Sequence, residues 1–91
     1  MSYELRLSPR AQKDFANLQK SGNMAALKKL RSIFEELMEH PFFGIGQPEA
    51  LKNRPDTFSR RLTKKDRVVY TVHDNIVTVD VLQILGHYDD K

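Results

Sequence analysis

Tyr3, Leu5 and Leu7 alternate with Glu4 and Arg6, the two-residue period of a strand with one buried face. Ser8-Pro9 changes the pattern. A serine before a helix caps its first turn, and proline suits the first helical position because its missing N–H would be unpaired there in any case. From there Ala11, Phe15 and Leu18 recur at helical spacing until Ser21-Gly22-Asn23 interrupts them. Leu27, Leu30, Ile33, Phe34, Leu37 and Met38 then form a longer apolar stripe, with Lys28, Lys29, Arg31, Glu35 and Glu36 on the opposite side. Mixed charge of that kind suits a helix face in water, so two amphipathic helices joined by a short turn are predicted.

His40-Pro41 ends the second helix, because the residue before a proline disfavours helical dihedrals. After an irregular segment, 41–57, the stretches 58–62, 68–72 and 76–85 are rich in β-branched and aromatic residues, with short turns at Lys64-Lys65 and Asp74-Asn75. The predicted order is β-α-α-β-β-β. This is an α+β fold: a mainly antiparallel sheet with the helical hairpin packed on one face, where the stripe 27–38 is buried. Counting across two-residue turns pairs Arg61 with Val68 and Val68 with Val81, which places Arg61 and His87 on one face and Arg67 on the other. A bulge near Asp66 or Gly86, convergence of side chains around the sheet's end, or a turn displaced by one residue would reunite them, and a break at Gly86 is the expected one.

With 91 residues the chain is read as one domain, 1–91, whose last three residues form a mobile tail. A domain of this size buries a modest share of its surface, so a site is expected on the outside. The absence of cysteine removes disulfides, thiolate ligands and a cysteine nucleophile together. No apolar run reaches the roughly 18–20 residues of a membrane span, and MSYELRLSPR lacks the apolar stretch of a signal peptide, so a cytoplasmic protein is expected.

Charge alters the picture locally. The net charge is only +3, yet Arg60, Arg61, Lys64, Lys65 and Arg67 fall within eight positions beside a single acid, Asp66. Such a patch attracts polyanions, although a solvated hairpin tip would look the same. Of the three histidines, His40 and His73 sit beside turns, whereas His87 follows Gly86 at the end of the last strand, where a sheet can present a side chain to a ligand. No two histidines have metal-ligand spacing, so neither metal nor cofactor is expected. The stretch PFFGIGQPEALKN, 41–53, places two prolines and two glycines around one acid, Glu49. Either the rigid loop positions Glu49, or these are simply the residues any turn requires.

Taken in order, PFFGIGQPEALK, FSRRLTKKDRVVYTV and GHY resemble the Txe/YoeB family of bacterial toxins, within the RelE/ParE toxin–antitoxin superfamily, from about residue 41 to Tyr88. The resemblance implies the same β-α-α-β-β-β fold. It further implies an endoribonuclease that cuts mRNA in the ribosomal A site without a metal, and a partner antitoxin that blocks it; a homodimer is compatible with the family. Position by position, it places the acid–base carboxylate on Glu49, a neighbouring lysine on Lys52, phosphate-binding arginines on Arg61 and Arg67, and the terminal pair on His87 and Tyr88. Arg60, Lys64 and Lys65 of the basic run are expected to add phosphate contacts. In this scheme Glu49 is the base, His87 the acid, Arg67 the main phosphate ligand, and Tyr88 orients the phosphate or stacks on a base. The tail Asp89-Asp90-Lys91 departs from members that end at the His-Tyr pair. Two alternatives share the basic patch: a ParE-like toxin acting on DNA gyrase, and a plain nucleic-acid-binding module, neither of which needs Glu49 together with His87.

Overall fold

The computed structural model describes residues 2–87. Ser8 caps α1 (Pro9–Ser21) by accepting a hydrogen bond from the Ala11 N–H at 3.0 Å. The helix stops where Gly22 takes a left-handed conformation, φ 75°, which glycine adopts without a Cβ clash. Asn23 then caps α2 (Met24–Glu39) through its side-chain oxygen and the Ala26 N–H, 3.1 Å apart.

Five strands form one sheet: β1 (Glu4–Leu7), β2 (Glu49–Ala50), β3 (Thr57–Arg61), β4 (Arg67–His73) and β5 (Thr78–Gln83), in the spatial order β1-β5-β4-β3-β2. All neighbours are antiparallel except β1, which runs parallel to β5. The two-residue strand β2 was not legible in the irregular segment, because two residues carry no periodicity. Leu30, Ile33 and Leu37 of α2 are each at most 1% exposed and join a cluster with Val68, Tyr70, Val72, Val79 and Val81 of the sheet. Full burial of one such side chain contributes about 1.5–3 kcal/mol, more than a surface ion pair, so this stripe fixes the hairpin on the sheet. Among the described residues, no helix is long and apolar enough to cross a membrane.

Both connecting turns differ from expectation. Arg61 pairs with Arg67, not Val68, because the β3–β4 connection is not a two-residue turn at 64–65 but a three-residue loop, 63–65, closed by the Leu62 N–H on the Asp66 carbonyl at 2.9 Å. Thr63 holds it: its hydroxyl donates to Asp66 Oδ2 at 2.7 Å and accepts from the N–H groups of Lys65 and Asp66 at 3.3 and 3.0 Å. The β4–β5 loop is longer: a 3₁₀ turn at Asp74–Ile76, then Val77 at φ 49°, so that His73 faces Thr78. The register break lies between Val69 and Tyr70, not at Gly86. Tyr70 pairs with Val81 and Val69 with Gln83, leaving Leu82 as the extra residue of a bulge.

Candidate functional site

Alternation along β3 separates two neighbouring arginines. Arg60 pairs with Val68 and turns inward, where it is fully buried; the expectation that it binds substrate phosphate is corrected accordingly. A buried guanidinium is tolerable only when its charge and donors are met, and here they are. Its Nη1 donates to Glu36 Oε1 at 2.6 Å, Nη2 to the Phe43 carbonyl at 2.8 Å, and Nε to the Tyr70 hydroxyl at 3.0 Å, with longer bonds to the carbonyls of Ile45 and His40. Tyr70 passes the link on, donating to the Pro41 carbonyl at 3.0 Å. Burial pushes the Tyr70 phenol upward from its ordinary pKa, with Arg60 opposing, so the group remains a donor.

The loop before Glu49 is thus tied down by tertiary bonds as well as by its prolines. Glu36 Oε1 also accepts from the Ile45 N–H at 2.9 Å. Gly44, at φ 138°, leaves no room for a Cβ, which would collide with the Glu36 carboxylate. The Gly46 carbonyl accepts from the Arg61 N–H at 2.7 Å, joining the loop to β3 just before β2 begins.

On the outer face, away from the helices, Glu49 pairs with Ser59, Ser59 with Val69, and Val69 with Gln83, so these four residues form one row across the sheet. Arg61 and Arg67 pair in the neighbouring row of the same face. Arg67 Nη1 donates to Glu49 Oε1 at 3.1 Å and to Ser59 Oγ at 3.3 Å. The same residue's backbone N–H donates to the Gly86 carbonyl at 3.0 Å, and His87 follows directly, exposed. Arg67 therefore contacts Glu49 with its side chain and the segment leading to His87 with its main chain. Arg61 on β3 and Lys52, Lys64 and Lys65 in the adjoining loops are exposed. Tyr88 and the tail 89–91 lie outside the described residues.

Chemically, the arrangement offers an exposed carboxylate able to take a proton and a guanidinium fork able to bind a phosphate. A histidine stands at the adjoining strand end. Ser59 was missed by sequence reasoning, although its position two residues before Arg61 on a strand would have put it on the Arg61 face.

Residues 7–88 match the family model described as the YoeB-like toxin of bacterial type II toxin-antitoxin systems. A curated relative, Toxin YoeB of Escherichia coli, is 39% identical over 54 residues, covering 58% of this chain and 64% of the relative. The match thus spans 64% of the length of that relative and 57% of the length of another, Toxin YoeB of Synechocystis sp.. Of the solved structures, the YoeB/ParE toxin from Agrobacterium tumefaciens superposes with a TM-score of 0.84 at 28% identity, over 93% of this chain and 99% of that one. A chain of the YoeB-YefM complex from Staphylococcus aureus gives 0.77 at 31% identity, over 97% and 100%.

Proposed function

This chain belongs to the family of YoeB-like toxins of bacterial type II toxin–antitoxin systems, and on that premise we propose that it is an endoribonuclease that cuts mRNA in the ribosomal A site and so stops translation. The observation that carries the reading is the double role of Arg67, bonded to Glu49 through its side chain and to Gly86, next to His87, through its backbone. A base, a phosphate-binding cation and an acid would then stand at one end of the outer sheet face.

In the proposed reaction Glu49 takes the proton of a ribose 2′-OH, and the 2′ oxygen attacks the adjacent phosphorus. The bond to the 5′ oxygen breaks as His87 donates a proton to it, leaving a 2′,3′-cyclic phosphate and a 5′-hydroxyl. Arg67 and Arg61 stabilise the charge that builds on the non-bridging oxygens. An incoming phosphate competes with Glu49 for Arg67, and the loss of that ion pair releases the carboxylate to act as base. Lys52, Lys64 and Lys65 guide the strand by charge, and Tyr88 stacks on a base or orients the phosphate. The scheme uses side chains alone. The partners are the bacterial ribosome with its mRNA, in the cytoplasm, and a cognate antitoxin; the complex formed by the Staphylococcus aureus relative supports the last.

The test is mRNA cleavage on programmed bacterial ribosomes, mapped by primer extension, with wild type, Glu49→Gln and His87→Ala. The expected result is cuts within the A-site codon that fall by about 10²-fold or more in each variant. A folded, antitoxin-free wild type that makes no cuts overturns the proposal in favour of a gyrase-directed, ParE-like action.

A further inference from the structure

The β5 ladder ends at Gln83, yet the next three backbone N–H groups are all bonded, and each to a carboxylate. Asp14 Oδ2 accepts from the N–H of Ile84 and of Leu85, both at 3.0 Å. Asp66 Oδ1 accepts from the Gly86 N–H at 2.9 Å. The carbonyls are held from the same two directions. Arg10, one turn from Asp14 on α1, donates to the Leu85 carbonyl at 2.9 Å, and the Arg67 N–H holds that of Gly86 at 3.0 Å.

Asp14 is 7% exposed. A carboxylate is costly to desolvate unless its oxygens are bonded, and on an amphipathic helix an acid belongs on the wet face. Its inward placement matches the two amides it receives, with Arg10 Nε 3.3 Å away as counter-charge. Asp66 joins two parts of the proposed site: one oxygen takes Gly86, and the other accepts from Thr63, which shapes the turn carrying Lys64 and Lys65. Gly86 itself, at φ 102°, turns the chain from the strand end toward His87.

We propose that Asp14 and Asp66 are positioning residues of this reaction: by gripping the consecutive N–H groups of residues 84–86 they fix where His87 stands relative to Arg67 and Glu49. The inference rests on the ribonuclease reading above. Neither aspartate touches the substrate. Both act through the backbone, so what each must supply is an oxygen acceptor in the right place; negative charge is secondary.

The experiment uses the full chain and two readouts, steady-state cleavage on programmed ribosomes and NMR of the Gly86 amide and His87 ring. Asp66→Ala removes the acceptor, Asp66→Asn retains it, and Thr63→Val weakens the turn but leaves the Gly86 acceptor. Expected are a fall in kcat of about tenfold or more in Asp66→Ala with KM within about twofold, recovery to within about threefold in Asp66→Asn, and a near-normal kcat in Thr63→Val. The Gly86 amide and His87 ring signals should move in Asp66→Ala and stay close to wild type in the other two. If Asp66→Ala fails to fold, Asp14→Ala takes its place. This change removes the one oxygen that receives the Ile84 and Leu85 N–H groups, so it should lower kcat and move the same signals, whereas Asp14→Asn, which keeps an acceptor, should not. The proposal is overturned if Asp66→Ala keeps wild-type kcat and signals, if Asp66→Asn is as impaired as Asp66→Ala, or if Thr63→Val matches Asp66→Ala in both readouts. Absence of cleavage by wild type would defeat the ribonuclease reading alone; the NMR comparison then decides whether the two carboxylates hold the His87 segment.

Discussion

Two ion pairs on opposite faces of the same sheet use the same chemistry to different ends. Arg60–Glu36 closes at 2.6 Å with side chains 0% and 24% exposed; Arg67–Glu49 closes at 3.1 Å with 20% and 62% exposed. On the inner face the guanidinium is surrounded by carbonyls, a phenol and a carboxylate, so it has no capacity left for a ligand. On the outer face Arg67 shares one nitrogen between Glu49 and Ser59, and the carboxylate stands mostly in water. Desolvation makes the inner pair a permanent fastening for the 41–46 loop. Hydration leaves the outer pair weak, which the proposed exchange of one partner for a phosphate requires.

The contrast can be broken most forcefully at Arg60. Arg60→Ala strands Glu36, Tyr70 and several carbonyls without their donor, and should lower unfolding free energy in urea by about 3–5 kcal/mol; a loss below about 1 kcal/mol would show that the loop does not depend on this fastening. Gly44→Ala attacks the same pair from the loop side, pushing a Cβ against the Glu36 carboxylate at a backbone conformation only glycine adopts easily. It should cost about 1–3 kcal/mol by the same measurement. Glu49→Gln, by contrast, should change stability by less than about 1 kcal/mol, since the pair it removes is exposed. A stability loss as large as that of Arg60→Ala would mean that the outer pair is also a fastening.

The smallest effect provides a control on the outer face. Arg6 and His73 both bond Asp80, far along the sheet from Glu49. The hydrogen bond from Arg6, which outweighs the opposing effect of burial, lowers the Asp80 pKa below its ordinary 3.8, with His73 adding to the effect. A folded-state pKa below the unfolded one contributes stability that is fully present above about pH 4 and is lost as pH falls through the lower, folded value. Asp80→Asn should therefore flatten the acid side of the stability–pH curve, measured by thermal melts, and leave cleavage unchanged. An unchanged acid slope would mean that the pair contributes nothing to stability.

The helices, the Ser8 cap and the α+β class were legible because they rest on local patterns: Ser8-Pro9 at one start, Ser21-Gly22-Asn23 as the break between the helices, and an apolar stripe with nowhere to go but onto a sheet. The residue types at the site were legible too, because Glu49, Arg61, Arg67 and His87 lie in motifs that resemble a family. That Arg60 turns inward and that Arg67 meets Glu49 was not. In a strand a slip of one residue turns every side chain to the opposite face, and the slip was set by a three-residue loop held by Thr63 and by a bulge at Leu82. Neither feature has a periodic signature. Nor does the inward turn of Asp14, whose partners lie some seventy positions away, at residues 84 and 85. The sequence by itself determined the elements and the chemical groups available, because propensity, capping and hydrophobic period act over a few residues. Only the tertiary structure decided which groups meet, because loop length, register and the bonding of buried charges are settled between segments distant in the chain.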